Sequence, residues 1–120
     1  MSANIENGTA TAIKILVSFE DGFHAYRDTI AAAIRIVRPN AEVITIEPVD
    51  IRETVKRFRP DVVIGSPLAR ADVEGVPAWV ELSLDPAKPS RVTLNGCYSE
   101  TVNPTLDKLL DIMDEVIPLS

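Results

Sequence analysis

Residues 13–17, Ile13-Lys14-Ile15-Leu16-Val17, are apolar except for one lysine and are bounded by Ser18. A short run of this kind suits a strand buried on both faces. Downstream, Phe23, Tyr26, Ile30, Ala33, Ile34 and Val37 recur at helical spacing, so a helix follows, with Asp21 placed to cap it. Arg38-Pro39-Asn40 ends that helix, because proline disfavours helical backbone in the residue before it. Val43-Ile44-Thr45-Ile46 is a β-branched second strand. Asp50 with Glu53 three residues later opens a short helix in capping-box fashion, with Ile51, Val55 and Phe58 on its buried stripe. Arg59-Pro60 closes it, and Asp61-Val62-Val63-Ile64 forms a third strand ending at Gly65-Ser66. Strand, helix, strand, helix, strand with short connections implies right-handed crossovers and a parallel core.

The second half breaks that rhythm. Residues 67–77 hold two prolines and a glycine and read as a loop with at most one helical turn. Residues 78–84 alternate as a strand, with Trp79, Glu81 and Ser83 on one face and Val80, Leu82 and Leu84 on the other. Six residues separate this strand from Arg91-Val92-Thr93-Leu94, too few for a parallel crossover, so the two are expected to be antiparallel. Asn95-Gly96 then predicts a tight hairpin into a strand over Cys97 to Val102. Asn103 and Pro104 predict the cap and first residue of a closing helix with Leu106, Leu109, Leu110, Met113, Val116 and Ile117 inward. The expectation is an α/β three-layer sandwich in which the parallel winding stops at the third strand. An antiparallel meander and a C-terminal helix complete it. Residues 1–12 read as a flexible polar lead and 13–120 as one domain.

Composition narrows the function classes. The chain has 120 residues, 46% apolar and 25% charged, with a net charge of −6, close to globular averages. An acidic chain with dispersed basic residues argues against nucleic-acid and anionic-membrane partners, which require clustered Lys and Arg. Arg52, Lys56, Arg57 and Arg59 form the densest basic group, and their helical spacing reads as a solvated face. The single cysteine, Cys97, excludes an internal disulfide and is expected to pack rather than react. With no apolar run long enough to span a bilayer and no export signal, the cytoplasm is the expected location.

In an open α/β sheet, ligands sit beyond the carboxyl ends of the strands at the switch in strand order. With order 2-1-3, that crevice lies between Ser18 to Gly22 and Gly65-Ser66-Pro67-Leu68. Glu20, Asp21, Gly65 and Ser66 are therefore the candidate ligand-binding residues, with Glu47 and Asp50 at the same end. Carboxylates gathered there could hold a hard divalent cation such as magnesium through oxygen ligands. The alternative is that Asp21 and Asp50 are helix caps and Glu20 and Glu47 are solvated.

Over residues 13–67 the chain resembles a response-regulator receiver domain, a flavodoxin-like fold. Lys14-Ile15-Leu16-Val17 followed by Glu20-Asp21 is similar to the family's first strand and acidic pair. Arg59-Pro60-Asp61-Val62-Val63-Ile64 is similar to the segment leading to its phosphoacceptor. The resemblance implies aspartyl phosphorylation with magnesium on the acidic pair. Aligned from Pro60, however, the phosphoacceptor position falls on Ser66, which has no carboxylate to form an acyl phosphate. The family's lysine after its fifth strand also has no counterpart, because Asn95 or Gly96 stands nearest. The resemblance therefore implies a degenerate receiver without phosphorelay chemistry.

No other constellation specifies a reaction. His24 is the only histidine and reads as a surface residue in a first helical turn. A triad of Ser66, His24 and Asp21 lacks the strained G-x-S-x-G turn, and Gly65 alone is no phosphate loop. Trp79 reads as core or interface. The expected function is a non-catalytic domain for binding a protein partner or itself, as a homodimer. The alternative is a small-ligand or divalent-metal site, or that of a small enzyme, at the first and third strand ends.

Overall fold

Three features of residue order shape the sheet: a strand buried on both faces, a second like it, and a final strand with no apolar alternation. A computed structural model of the chain describes residues 13–66, 70–83, 85, 87–102 and 104–116. Among them are six strands: β1 (Lys14–Phe19), β2 (Glu42–Ile46), β3 (Val62–Ser66), β4 (Ala78–Glu81), β5 (Ser90–Leu94) and β6 (Cys97–Thr101). Three α-helices accompany them: α1 (His24–Val37), α2 (Ile51–Phe58) and α3 (Leu106–Val116). The strands form one mixed sheet in the order β2-β1-β3-β4-β5-β6.

The β2-β1-β3 part is parallel, in the order expected. Asp61 fixes its register at the amino end. Its carboxylate accepts the Lys14 N–H at 2.9 Å, and its own N–H donates to the Lys14 carbonyl at 2.8 Å. The Pro60-Asp61 pair thus has a structural role: it ends α2 and ties β3 to β1. The expectation that the parallel winding stops at β3 is corrected, because β4 pairs parallel with β3, Val62 opposite Ala78. A parallel return needs a connection long enough to recross the sheet. Residues 67–77 supply it with only a 3₁₀ turn, Arg70–Val73, among their described part. β5 and β6 are antiparallel as expected. Asn95 and Gly96 both take positive φ, 49° and 85°, the requirement of a two-residue type I′ turn.

Period-two alternation divides the core between the two faces. Ile15, Val17 and Phe19 of β1 lie in one cluster with Ile30, Ala31 and Ile34 of α1 and Leu109, Leu110 and Met113 of α3. Leu16 and Val63 lie in the other with Ile51 of α2 and Val73 of the 3₁₀ turn, and Trp79 packs against them. Burying a side chain such as Met113 contributes about 1.5–3 kcal/mol, so α3 is held by its apolar stripe.

Several local expectations change. α1 begins at His24 after a 3₁₀ turn over Asp21–Phe23. Its cap position is Phe23, not Asp21, and carries no side-chain bond. Asp50 does occupy the cap of α2 but likewise makes no side-chain cap bond. Phe23, Tyr26 and Val37 are exposed rather than core, since they lie at the ends of the helix, although Tyr26 stacks edge-on against Phe19 at 5.2 Å. Among the described residues Thr105 caps α3: its Oγ1 accepts the Lys108 N–H at 3.3 Å. The expectations for Pro67, Leu68, Leu84, Asn103, Ile117 and the 1–12 lead fall outside the described residues.

Candidate functional site

The carboxyl ends of the parallel strands bring Phe19 beside Ser66 and Ser18 beside Gly65. The predicted residues therefore do meet at one sheet end. Glu20 is exposed, Gly65 is buried and Ser66 is half-buried as the last residue of β3. Asp21 opens the 3₁₀ turn that leads into α1. Glu47 and Asp50 are exposed at the same end.

The cavity at this end opens on the side of β4, not between β1 and β3. It has a volume of about 380 Å³ and is lined by Ser66, Glu81, Ser83, Asp85, Lys88 and Arg91 among others. Neither Glu20 nor Asp21 is among its described lining residues. Sequence reading missed Glu81, Lys88 and Arg91. The signal that could have found them is that a fourth parallel strand carries its own carboxyl end to the site.

Most of the polar atoms in this cavity are engaged within the chain. The Glu81 carboxylate pairs with the Arg91 guanidinium from the facing position on β5. The Ser83 hydroxyl donates to the Asp85 carbonyl at 2.8 Å and accepts the Asp85 N–H at 3.2 Å. The Asp85 carboxylate accepts the Ala87 N–H at 2.9 Å, and the Ser83 N–H donates to the buried Ser90 hydroxyl at 2.8 Å. These bonds build the turn between β4 and β5. A serine nucleophile needs a base within reach; the described lining holds no histidine, and its acids Glu81 and Asp85 are engaged by Arg91 and by the Ala87 N–H. His24 lies instead on the exposed first turn of α1. No three His, Cys, Asp or Glu side chains among the described residues are grouped to hold a metal ion.

A larger opening, about 600 Å³, lies at the opposite end of the sheet against the end of α2. Asp61, its most interior acid, is the clamp on Lys14. Lys56, Arg59 and Glu74 are exposed charges of mixed sign. The basic residues of α2 are a solvated face, and Arg52 pairs with Asp72 across to the 3₁₀ turn at 3.1 Å.

The most unusual surface is the last strand. Every residue from Cys97 to Glu100 is exposed, and Tyr98 and Val102 are 53% and 64% accessible. The expectation that Cys97 packs is corrected accordingly, since it is a free, exposed thiol. β6 is the outermost strand in the sheet order, so among the described residues the main-chain groups of one of its edges have no strand partner. Its two faces are also uncovered, because it projects beyond the residues buried by α1 and α3 on one side and α2 on the other. On one face the cross-strand rows run Trp79-Thr93-Tyr98 and Glu81-Arg91-Glu100. The Tyr98 phenol donates to the Glu100 carboxylate at 2.7 Å, and that hydrogen bond raises the phenol pKa above its ordinary value.

No helix among the described residues is long and apolar enough to cross a membrane. Comparison with protein-family models and with curated proteins gives no match.

Proposed function

We propose that this chain is a non-catalytic interaction domain on a flavodoxin-like, receiver-like scaffold, and that the hairpin of β5 and β6 is its contact element. The observation that carries this reading is β6: a strand with exposed side chains and, among the described residues, no strand partner on its outer edge. Proteins ordinarily blunt such an edge with proline, lysine, a bulge or a covering loop. Here residues 97–101, Cys-Tyr-Ser-Glu-Thr, contain no proline and a single charge, and such an edge accepts an added strand through main-chain hydrogen bonds. The engaged polar groups of the strand-end cavity and the serine at the end of β3 support the non-catalytic half of the reading.

A photo-crosslinking residue at position 98, compared with one at the exposed position 57 on α2, tests it in cells that express the chain. Discrete protein adducts from position 98 alone are expected. Equal yields from both positions, or none from 98, would contradict it. A second reading, a small polar ligand held at the strand ends, is favoured by the cavity beside Ser66. Magnesium with acetyl phosphate is expected to leave the amide signals of Glu20 and Ser66 unmoved. Saturable local shifts would favour the ligand reading instead.

A further inference from the structure

Resting on that reading, the structure also singles out the partner. In a two-residue hairpin the residues flanking the turn form a hydrogen-bonded pair, and bonded and non-bonded pairs alternate from there. Leu94 opposite Cys97 is the first pair. Val92 with Ser99 and Ser90 with Thr101 are then bonded pairs, whereas Thr93 with Tyr98 and Arg91 with Glu100 are not. The N–H and C=O groups of Tyr98 and Glu100 therefore point away from β5, to the free edge.

We propose that β6 pairs antiparallel with β6 of a second copy about a two-fold axis through Ser99, joining two six-stranded sheets into one. In this register Tyr98 stands opposite the partner's Glu100, and Glu100 opposite the partner's Tyr98. Both residues' outward main-chain groups are satisfied, and each phenol lies within reach of a carboxylate from either chain. Ser99 meets itself on the axis, in the non-bonded position where strands come closest, about 4.5 Å between Cα atoms, and its small side chain permits that approach. Cys97 stands opposite Thr101.

The neighbouring registers are worse. Sliding by two residues one way sets Glu100 against the partner's Glu100, and like charges directly opposite are destabilising. Sliding the other way sets Glu100 against Gly96 in the turn and shortens the pairing. One strand pair makes a small interface, which belongs to the weak, reversible class. Each copy carries a net charge of −6, so added salt strengthens the pairing by screening mutual repulsion.

Disulfide trapping reads the register directly. About this axis the two Cys97 residues lie roughly 13 Å apart along the strands, beyond the approximate 7 Å Cα limit for a bridge. Two Ser99 positions fall well within it. Single-cysteine variants Ser99→Cys, Tyr98→Cys and Glu53→Cys, each with Cys97→Ser, are compared with the native chain under mild oxidation. Ser99→Cys is expected to form the covalent dimer faster than the other three by on the order of tenfold or more, through its high effective concentration. Adding Glu100→Pro removes one outward N–H without touching the β5 ladder, a change edge strands tolerate. It is expected to reduce trapping to the Glu53→Cys rate. Fast trapping through native Cys97, or equal rates at all positions, would overturn the proposal. If Ser99→Cys shows no preferential trapping while position 98 cross-links to a different protein, self-pairing fails and β6 stands as a contact element.

Discussion

Asn95 and Gly96 set the geometry of the hairpin, and their positive φ angles make the turn sensitive to substitution. Gly96→Ala places a Cβ on a left-handed backbone and is expected to cost about 1–2 kcal/mol in urea unfolding. The space around Gly96 is open, so the loss is conformational rather than a clash. Ser18 presents the opposite case. Its hydroxyl is fully buried on β1 with no hydrogen-bond partner among the described residues, and an unsatisfied buried group costs about 1–3 kcal/mol. Ser18→Ala is therefore expected to raise stability by about 1 kcal/mol; a loss of similar size would mean that the hydroxyl is used. At Tyr98 the hydrogen bond to Glu100 favours the neutral phenol, so its pKa lies above the ordinary value for a tyrosine. Glu100→Gln removes the carboxylate and is expected to lower it, measurable by absorbance titration in a Tyr26→Phe background. An unchanged titration would show that the pair does not form.

Among the elements, α3 carries the clearest stability test. Met113 is almost fully buried beneath it, and Met113→Ala is expected to cost about 2–5 kcal/mol. Thr105→Ala, which deletes the α3 cap, is expected to cost about 1 kcal/mol. If Thr105→Ala were neutral, the cap would lie elsewhere. The elements were legible where hydrophobic period and turn chemistry agreed: β1, β2, β3, the Asn95-Gly96 hairpin and α3 all lie close to where their residues put them. Caps were less legible. Asp21 precedes an apolar stripe, but a 3₁₀ turn intervenes before α1, and a short polar residue does not reveal which turn will become helical. Phe23, Tyr26 and Val37 follow the helical period but lie at the ends of α1, where little of the core remains to bury them. Cys97 could not be read as exposed, because its exposure depends on how far the helices reach over β6. That distance is set by tertiary structure, not by spacing.

At the scale of the whole molecule, strand order alone indicated that the first and third strands end together, while the place of the cavity at that end was not legible. The parallel pairing of β4 with β3 draws the cavity toward Ser66, Glu81 and Arg91 and away from Glu20 and Asp21. A loop with two prolines gave no hint of a parallel return. The same extension carries the meander outward and leaves β6 beyond both helical layers. The central claim is that this free edge takes up a strand, and residue-resolved amide exchange measured from dilute to concentrated solution tests it most directly. In the dilute chain the amides of Ser99 and Thr101, bonded to β5, are expected to be protected, and those of Tyr98 and Glu100 to exchange freely. On concentration Tyr98 and Glu100 are expected to become protected together. Association that leaves both amides unprotected, or no change at any concentration, would contradict the pairing of β6.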